Sequence, residues 1–267
     1  MGLEEHKMFR TADDIEREVF QLYPNYSNKE LHKTNFATRK RAITLDAGEL
    51  SEKLLAKLQT MDNFTLQNNA EVSTVNASPM TGLVRGVTVQ GKLFKEIETD
   101  ALVICTGAFT AQFLYSTLKV FAPIIPVKSY TFDVPTTTPF HAAHFYSHKS
   151  ALSAVQLKPG TWRISAFGDM AGLNLDLDQR RVRTAKNTVC ITMETKEGLL
   201  ARDIKAVLHA CSPDDLPVVG ALKRHPNVYV NSGHGGRNCA FSIGSSKLLA
   251  ELLASGKFAS CDEAQVS

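Results

Sequence analysis

Apolar positions along this chain fall into three patterns, each forecasting a different element. Helical spacing marks Thr11 to Leu22 (TADDIEREVFQL), with Ile15, Val19 and Leu22 on one face, Thr11 as cap and Asp14 three residues on. It recurs at Leu45 to Leu58, where Asp46 caps, Glu49 follows, and Leu50, Leu54, Leu55 and Leu58 form a stripe expected to be buried. Phe64 with Leu66, then Val72 with Val75, suggest short strands, and Gly82 to Val89 with Lys92 to Glu98 read as a hairpin around Gly91. Ala101 to Cys105 is different, because it is apolar without alternation. That suits a parallel strand covered on both faces, with Cys105 as a buried apolar residue.

Beyond Phe113 a helix of about one and a half turns leads into PIIPVKSYTFDVP. Alternating segments follow at Ala143 to Tyr146, Ala151 to Leu157 and Thr161 to Ser165, consistent with a sheet that faces solvent on one side. Arg180 to Glu197 is expected to be helical, carrying Ile191 and Met193. The last stretch, Asn227 to Ala254, reads as a strand (Val228 to Val230), a turn of Gly233, His234, Gly235 and Gly236, and a helix whose stripe includes Leu248, Leu249, Leu252 and Leu253. A strand feeding a glycine turn that opens a helix leaves the first helical amides without intrachain partners, so they point at whatever anion or carbonyl sits there. Glycine is needed where a Cβ would hold the backbone off a ligand or forbid positive φ. Gly-Gly before a helix is also common loop punctuation.

Composition narrows the classes. With 267 residues, 43% hydrophobic and 21% charged, the chain is long enough for one large domain or two. A net charge of +3, with no basic stripe interleaved with aromatics, argues against nucleic acid as a partner, and Arg39, Lys40 and Arg41 read as a solvated loop. Five scattered cysteines without a C-x-x-C pair argue for reduced thiols. His141 and His144 lack companions at metal spacing, so no metal is expected. No apolar run reaches the roughly 20 residues of a transmembrane helix. MGLEEHKMFR resembles neither a signal nor a transit peptide, which makes the cytoplasm the default location.

Several phrases taken together, "SPDDLPVVG", "PNVYVNSGHGG" and "SSKLLAELL", resemble the C-terminal cofactor segment of the FAD-dependent oxidoreductases of the D-amino acid oxidase and dehydrogenase superfamily, which includes glycine and sarcosine oxidases. "FRTADDIE" is similar to a substrate-domain segment of that family, "LVICTGAFT" to its strand ending near the flavin, and Pro126, Val127, Lys128 and Tyr130 to its P-V-K-G-Y strand, with Ser129 in place of glycine. "WRISAFGDMAGLNLDLDQRRV" is similar to a further family segment, with Asp169 where glutamate is usual. The resemblance implies α/β plus α+β architecture: an incomplete FAD-binding Rossmann-like domain interleaved with an antiparallel-sheet substrate domain. Residues 1–35 and 113–202 would belong to the substrate domain, and 36–112 and 203–267 to the FAD domain.

It also implies roles. Thr106 and Gly107 would pass close to the flavin, and Gly233, His234, Gly235 and Gly236 would border its ring, His234 through its backbone more than its imidazole. The backbone at Val72 would border the adenine, with a core strand residue as the equal alternative. His209 stands where relatives carry a substrate-gripping arginine, yet imidazole lacks the guanidinium fork and is only partly charged at neutral pH. It and Arg237 are the candidate catalytic residues, Arg237 as a contact to a carboxylate or flavin oxygen against the plainer reading of an exposed loop arginine. Asp214 and Pro217 would shape the SPDDLP turn, and Gly220 would end the strand after it. Cys211 lies too near that turn to match the flavin-linked cysteine of some sarcosine oxidases.

Relatives begin with G-x-G-x-x-G in a βαβ unit, and nothing in residues 1–100 matches it. Three explanations stand: a fragment of a longer protein, a member that lost FAD, or half of a split enzyme whose partner chain supplies the dinucleotide-binding module. The expected activity is FAD-dependent oxidation of the CH–NH group of a small-molecule amino acid; the alternative is a non-catalytic binding or assembly protein derived from the same fold.

Overall fold

A computed structural model describes residues 7–8, 38–39, 46–91, 95–135, 144–147, 152–158, 160–192 and 200–256. In chain order the elements are β1 (Lys7–Met8), β2 (Thr38–Arg39), α1 (Ala47–Leu58), β3 (Glu71–Ala77), β4 (Val84–Gln90), β5 (Lys95–Glu98), β6 (Leu102–Ile104), α2 (Thr110–Leu118), β7 (Ile125–Pro135), β8 (His144–Ser147), β9 (Leu152–Lys158), β10 (Thr161–Asp169), α3 (Gln179–Thr192), β11 (Arg202–Cys211), β12 (Val218–Leu222), β13 (His225–Ser232) and α4 (Asn238–Ser255). The helix expected at Thr11 to Leu22 lies outside the described residues. Two compact units form: Met1–Ser51, Ser129–Asp169 and Leu175–Val207 make the first, and Glu52–Lys128, Met170–Asn174 and Leu208–Ser267 the second.

The first unit is built on a five-stranded sheet in the order β11-β7-β10-β9-β8, whose β8-β9 and β9-β10 pairs are antiparallel. Alternation along β7 and β10 sends Phe132, Val134, Trp162, Ile164 and Ala166 to one face, where Leu152 and Ala154 of β9 join Ala185 and Val189 of α3 in one core. Asp178 starts α3, its carboxylate accepting from the Arg180 amide at 2.8 Å and the Arg181 amide at 3.4 Å, and those bonds hold its pKa below the ordinary value. Asp169 pairs with Arg181, whose guanidinium also lies 4.9 Å from the centre of the Phe167 ring. Arg39 is a strand residue opposite Lys7, which corrects the loop expected there.

In the second unit β3, β4 and β5 form an antiparallel meander, and β12-β13-β6 form a second sheet. There β13 runs parallel to β6, with Val228, Tyr229 and Val230 opposite Leu102, Val103 and Ile104. Val75, Val87 and Val89 of the meander share a core with Ile104, Leu114, Leu118, Val228 and Val230. Asn227 ties the two sheets: its Oδ1 accepts from the Val84 amide at 2.9 Å, and its Nδ2 donates to the carbonyls of Val84 (2.7 Å) and Asp100 (2.9 Å).

Several expectations need correction. Asp46 caps α1 through its carboxylate, to Gly48 at 2.9 Å and Glu49 at 3.4 Å, but no residue of the helix is buried and Leu54 is 55% exposed. Amphipathic spacing predicts a stripe; it does not supply the surface that covers it. Phe64 and Leu66 lie in irregular backbone ahead of β3. β6 is an edge strand among the described residues, so Val103 is 41% exposed and Cys105 is exposed instead of buried. Gly220 sits inside β12 opposite Val230, because hairpin pairing carries that strand on to Leu222. Leu253 is exposed, and Leu249 with Ser245 makes the buried line of α4.

Replacing Asn227→Ala removes three hydrogen bonds from β13, two to Val84 of β4 and one to Asp100 ahead of β6. It is expected to destabilise the second unit by about 2 kcal/mol, read as a lower urea midpoint at unchanged slope. Leu54→Gln on the exposed stripe should change stability by less than about 0.5 kcal/mol.

Candidate functional site

Because β6 and β13 are parallel, their carboxyl ends fall on one edge, where an open α/β sheet forms its ligand crevice. Both strands leave that edge alike. β6 runs through Gly107 (φ +56°) into a single 3-10 turn, Gly107–Phe109, and then α2; β13 runs through Gly233 (φ +84°) and Gly235 (φ +56°) into a 3-10 turn, Gly235–Arg237, and then α4. A side chain at such a φ costs about 1–2 kcal/mol, so glycine at 107 and 235 is set by the backbone.

Three hydroxyls hold the two exits together. Thr110 Oγ1 donates to Ser232 Oγ at 3.0 Å, and Ser232 Oγ donates to the Gly107 carbonyl at 3.1 Å. Thr110 has one hydroxyl hydrogen and gives it to Ser232, so in the 3.1 Å contact between Thr106 and Thr110 the donor is Thr106. Thr110 and Ser232 are buried, so the bond between them is shielded from water, while Thr106 stands at the exposed end of the relay. It places Thr106 and Gly107 beside the start of the Gly233–Gly236 turn, bringing two of the sequence-predicted groups together.

The surroundings of the turn differ residue by residue. Gly233 and Gly235 are buried, whereas Gly236, Arg237, Asn238 and Cys239 are exposed. A Cβ on Gly107 or Gly236 would meet nothing within 4 Å, so the backbone at both faces open space. No side chain caps the 3-10 turn or α4; the Arg237 amide donates to the His234 carbonyl at 3.2 Å, so the exposed Gly236 amide ahead of it is the one open to an outside acceptor. His234 turns its ring back onto α4. Ser245 donates to the Ser242 carbonyl at 3.1 Å, so in the 2.8 Å contact His234 Nε2–H donates to Ser245 Oγ. Burial lowers the His234 pKa.

β11 meets this turn through a bridge between Cys211 and His234, and His209 lies two residues back on the same strand. Burial lowers the pKa of His209, so its ring is neutral at pH 7. Burial, then the Asp215 carboxylate, raises the pKa of the Cys211 thiol, the opposite of what a nucleophilic thiolate requires. Asp214 accepts from the Leu216 amide at 3.1 Å, which lowers its pKa and closes the SPDDLP turn. Arg237 pairs with Asp215 at 3.4 Å and lies 5.7 Å from the centre of the Phe241 ring; with both partners exposed, the ion pair contributes well under about 1 kcal/mol. Val72 sits half-buried on β3 against the shared core. Sequence reasoning missed Thr110, Ser232 and Ser245; the available signal was a hydroxyl inside or just beyond an apolar run.

A family model described as "FAD dependent oxidoreductase" matches residues 10–252. A D-amino acid dehydrogenase of Granulibacter bethesdensis is 28% identical over 192 residues, 69% of this chain and 45% of that protein, so the chain spans about half the length of that relative. Among solved structures, L-proline dehydrogenase from P. horikoshii superposes with a TM-score of 0.79 at 17% identity, covering 98% of this chain and 66% of its own. Glycine oxidase from Geobacillus kaustophilus gives 0.80 at 16% identity, covering 99% and 66%.

With both imidazoles depressed below 6.5 by burial, the unfolded chain takes up protons first as pH falls. Their stabilising contribution is complete above 6.5 and is lost as pH drops through the lowered folded values. The melting temperature should therefore fall as the pH is lowered below 6.5, and His234→Gln should flatten part of that slope in a calorimetric scan.

Proposed function

The chain belongs to the FAD dependent oxidoreductase family, and from that premise we propose that it forms the flavin-facing crevice and substrate sheet of an enzyme oxidising the CH–NH group of an amino acid, of the D-amino acid dehydrogenase or oxidase type. The carrying observation is the pair of strand exits, joined through Ser232, whose glycines at 107 and 236 look into open space. Bound FAD would supply the hydride acceptor for oxidation beside the substrate nitrogen. The Gly107 backbone permits close approach of a planar ring, and the exposed amide of Gly236, ahead of the Arg237 amide that bonds the His234 carbonyl, presents the positive end of the turn into α4 to negative charge developing there.

His209, neutral and two residues from the Cys211 that bridges to His234, serves as a hydrogen-bonding contact to the substrate. Arg237 reaches a carboxylate by exchanging its exposed bond to Asp215, a pair weak enough to give way. Val72 serves as the adenine-side backbone contact. A dinucleotide-binding module, on a longer form of this chain or on a partner chain, completes the cofactor site. The open edge of β6 and the exposed Val103 and Cys105 support that reading, since a parallel sheet is ordinarily covered on both faces. A histidine at 209, its pKa lowered by burial, where relatives use an arginine, favours a non-catalytic binding protein instead.

Incubation with FAD followed by desalting tests this, with retained flavin absorbance as the readout and the purified chain assayed alone and with an added dinucleotide-binding module. Retention is expected with the module, and Gly107→Val should lower it about tenfold, from the penalty for a side chain at positive φ. No retained flavin under either condition removes the oxidoreductase reading and leaves the non-catalytic one.

A further inference from the structure

At the opposite end of the second unit lies a surface that flavin chemistry does not explain. β13 is eight residues long, so its first residue stands about 20 Å from the glycine turn. Three loops meet there. Lys119, Val120 and Phe121 follow α2, Leu222, Lys223 and Arg224 join β12 to β13, and these six line an open cleft of about 230 Å³. The third loop, from Ser78 to Gly82, is bound to the second: His225 Nδ1 contacts the Gly82 carbonyl at 2.7 Å, and the Gly82 backbone packs on the Arg224 carbonyl with no room for a Cβ.

From these loops two large apolar side chains project into solvent, Phe121 at 83% exposed and Met80 at 95%. Three cations, Lys119, Lys223 and Arg224, line the cleft with Phe121. Lys223 and Arg224 are exposed, and Lys119 is fixed over its own helix end, its Nζ donating to the Ser116 carbonyl at 3.2 Å and lying 5.7 Å from the centre of the Tyr115 ring. Among the described residues none of the three forms an ion pair. Carboxylates of Glu98 and Asp100 lie on the strand segment that reaches this end, Glu98 opposite Gly86 and Asp100 with its carbonyl accepting from Asn227.

Single exposed apolar side chains are ordinary. Two at neighbouring loop tips, nearly free of protein contact and flanked by cations, match a surface that is apolar in depth and negative at its plane. A folded acidic partner would favour a continuous patch with a packed apolar centre over separate projecting tips. We propose that this end docks the protein on an anionic lipid bilayer. Phe121 and Met80 enter the boundary between headgroups and acyl chains, and Lys119, Lys223 and Arg224 face the lipid phosphates and carboxylates. The glycine crevice, at the other end of β13, stays open to solutes.

Co-sedimentation of the full chain with vesicles tests the assignment, comparing phosphatidylcholine alone with phosphatidylcholine containing phosphatidylserine. Binding is expected only to the anionic vesicles and is released by high salt. Lys223→Gln and Arg224→Gln should each weaken it about fivefold, the equivalent of one surface charge, and Phe121→Ala about tenfold, for a buried aromatic group. Circular dichroism and flavin retention of these variants should match the starting protein. Absent binding, equal binding to both vesicle types, or binding indifferent to Phe121 overturns the proposal. So does equal binding to soluble polyglutamate, which marks plain attraction to an acidic polymer.

Discussion

Ser232 is the pivot of the cofactor-side unit. It accepts from Thr110 and donates to the Gly107 carbonyl, and so fixes the carboxyl end of β13 against that of β6 beneath two glycine exits. One neutral hydrogen bond contributes only about 1 kcal/mol net, but a buried hydroxyl or carbonyl left unpaired costs about 1–3 kcal/mol. The relay therefore acts less as glue than as a constraint: any arrangement separating the two strand ends leaves polar groups buried and unsatisfied. The orientation of the turn into α4 and the exposure of the backbone at Gly107 and Gly236 follow from it.

Much of this was legible because the signals were local. The apolar run before Thr106, the glycine turn after Ser232, the Asp46 cap and the alternating strands of the larger sheet each rest on chemistry contained within a few residues. What was not legible depends on partners distant in sequence. Thr110 and Ser232 are 122 residues apart, and no periodicity announces that their hydroxyls meet. The stripe of α1 and the apolar face of β6 were read as buried because hydrophobic spacing implies a covering surface. Among the described residues that cover is missing, and Leu54, Val103 and Cys105 face solvent. The neutrality of His209 likewise comes from burial, a property of the fold and not of its neighbours in sequence.

The same sheet gives the unit two different ends. At the carboxyl ends of β6 and β13 the surface is polar backbone, uncapped amides and glycine; at the amino end of β13 it is loop, cation and projecting apolar side chain. Asn227 and His225 fix the second end as the hydroxyl relay fixes the first, by bonds to the backbone of the meander. A family match across residues 10–252, in a chain that spans 66% of the two solved relatives, accords with a crevice whose glycine side is formed while one sheet edge is open.

Amide hydrogen exchange of the chain together with the added dinucleotide-binding module, followed by mass spectrometry with and without FAD, addresses the central claim most directly. Joint protection of the segments Thr106–Thr110 and Gly233–Cys239, with Lys119–Phe121 unchanged, is the predicted result, since one ring would cover both strand exits at once. Exchange at those two segments that ignores FAD, or slows in only one of them, would contradict a crevice held in register through Ser232.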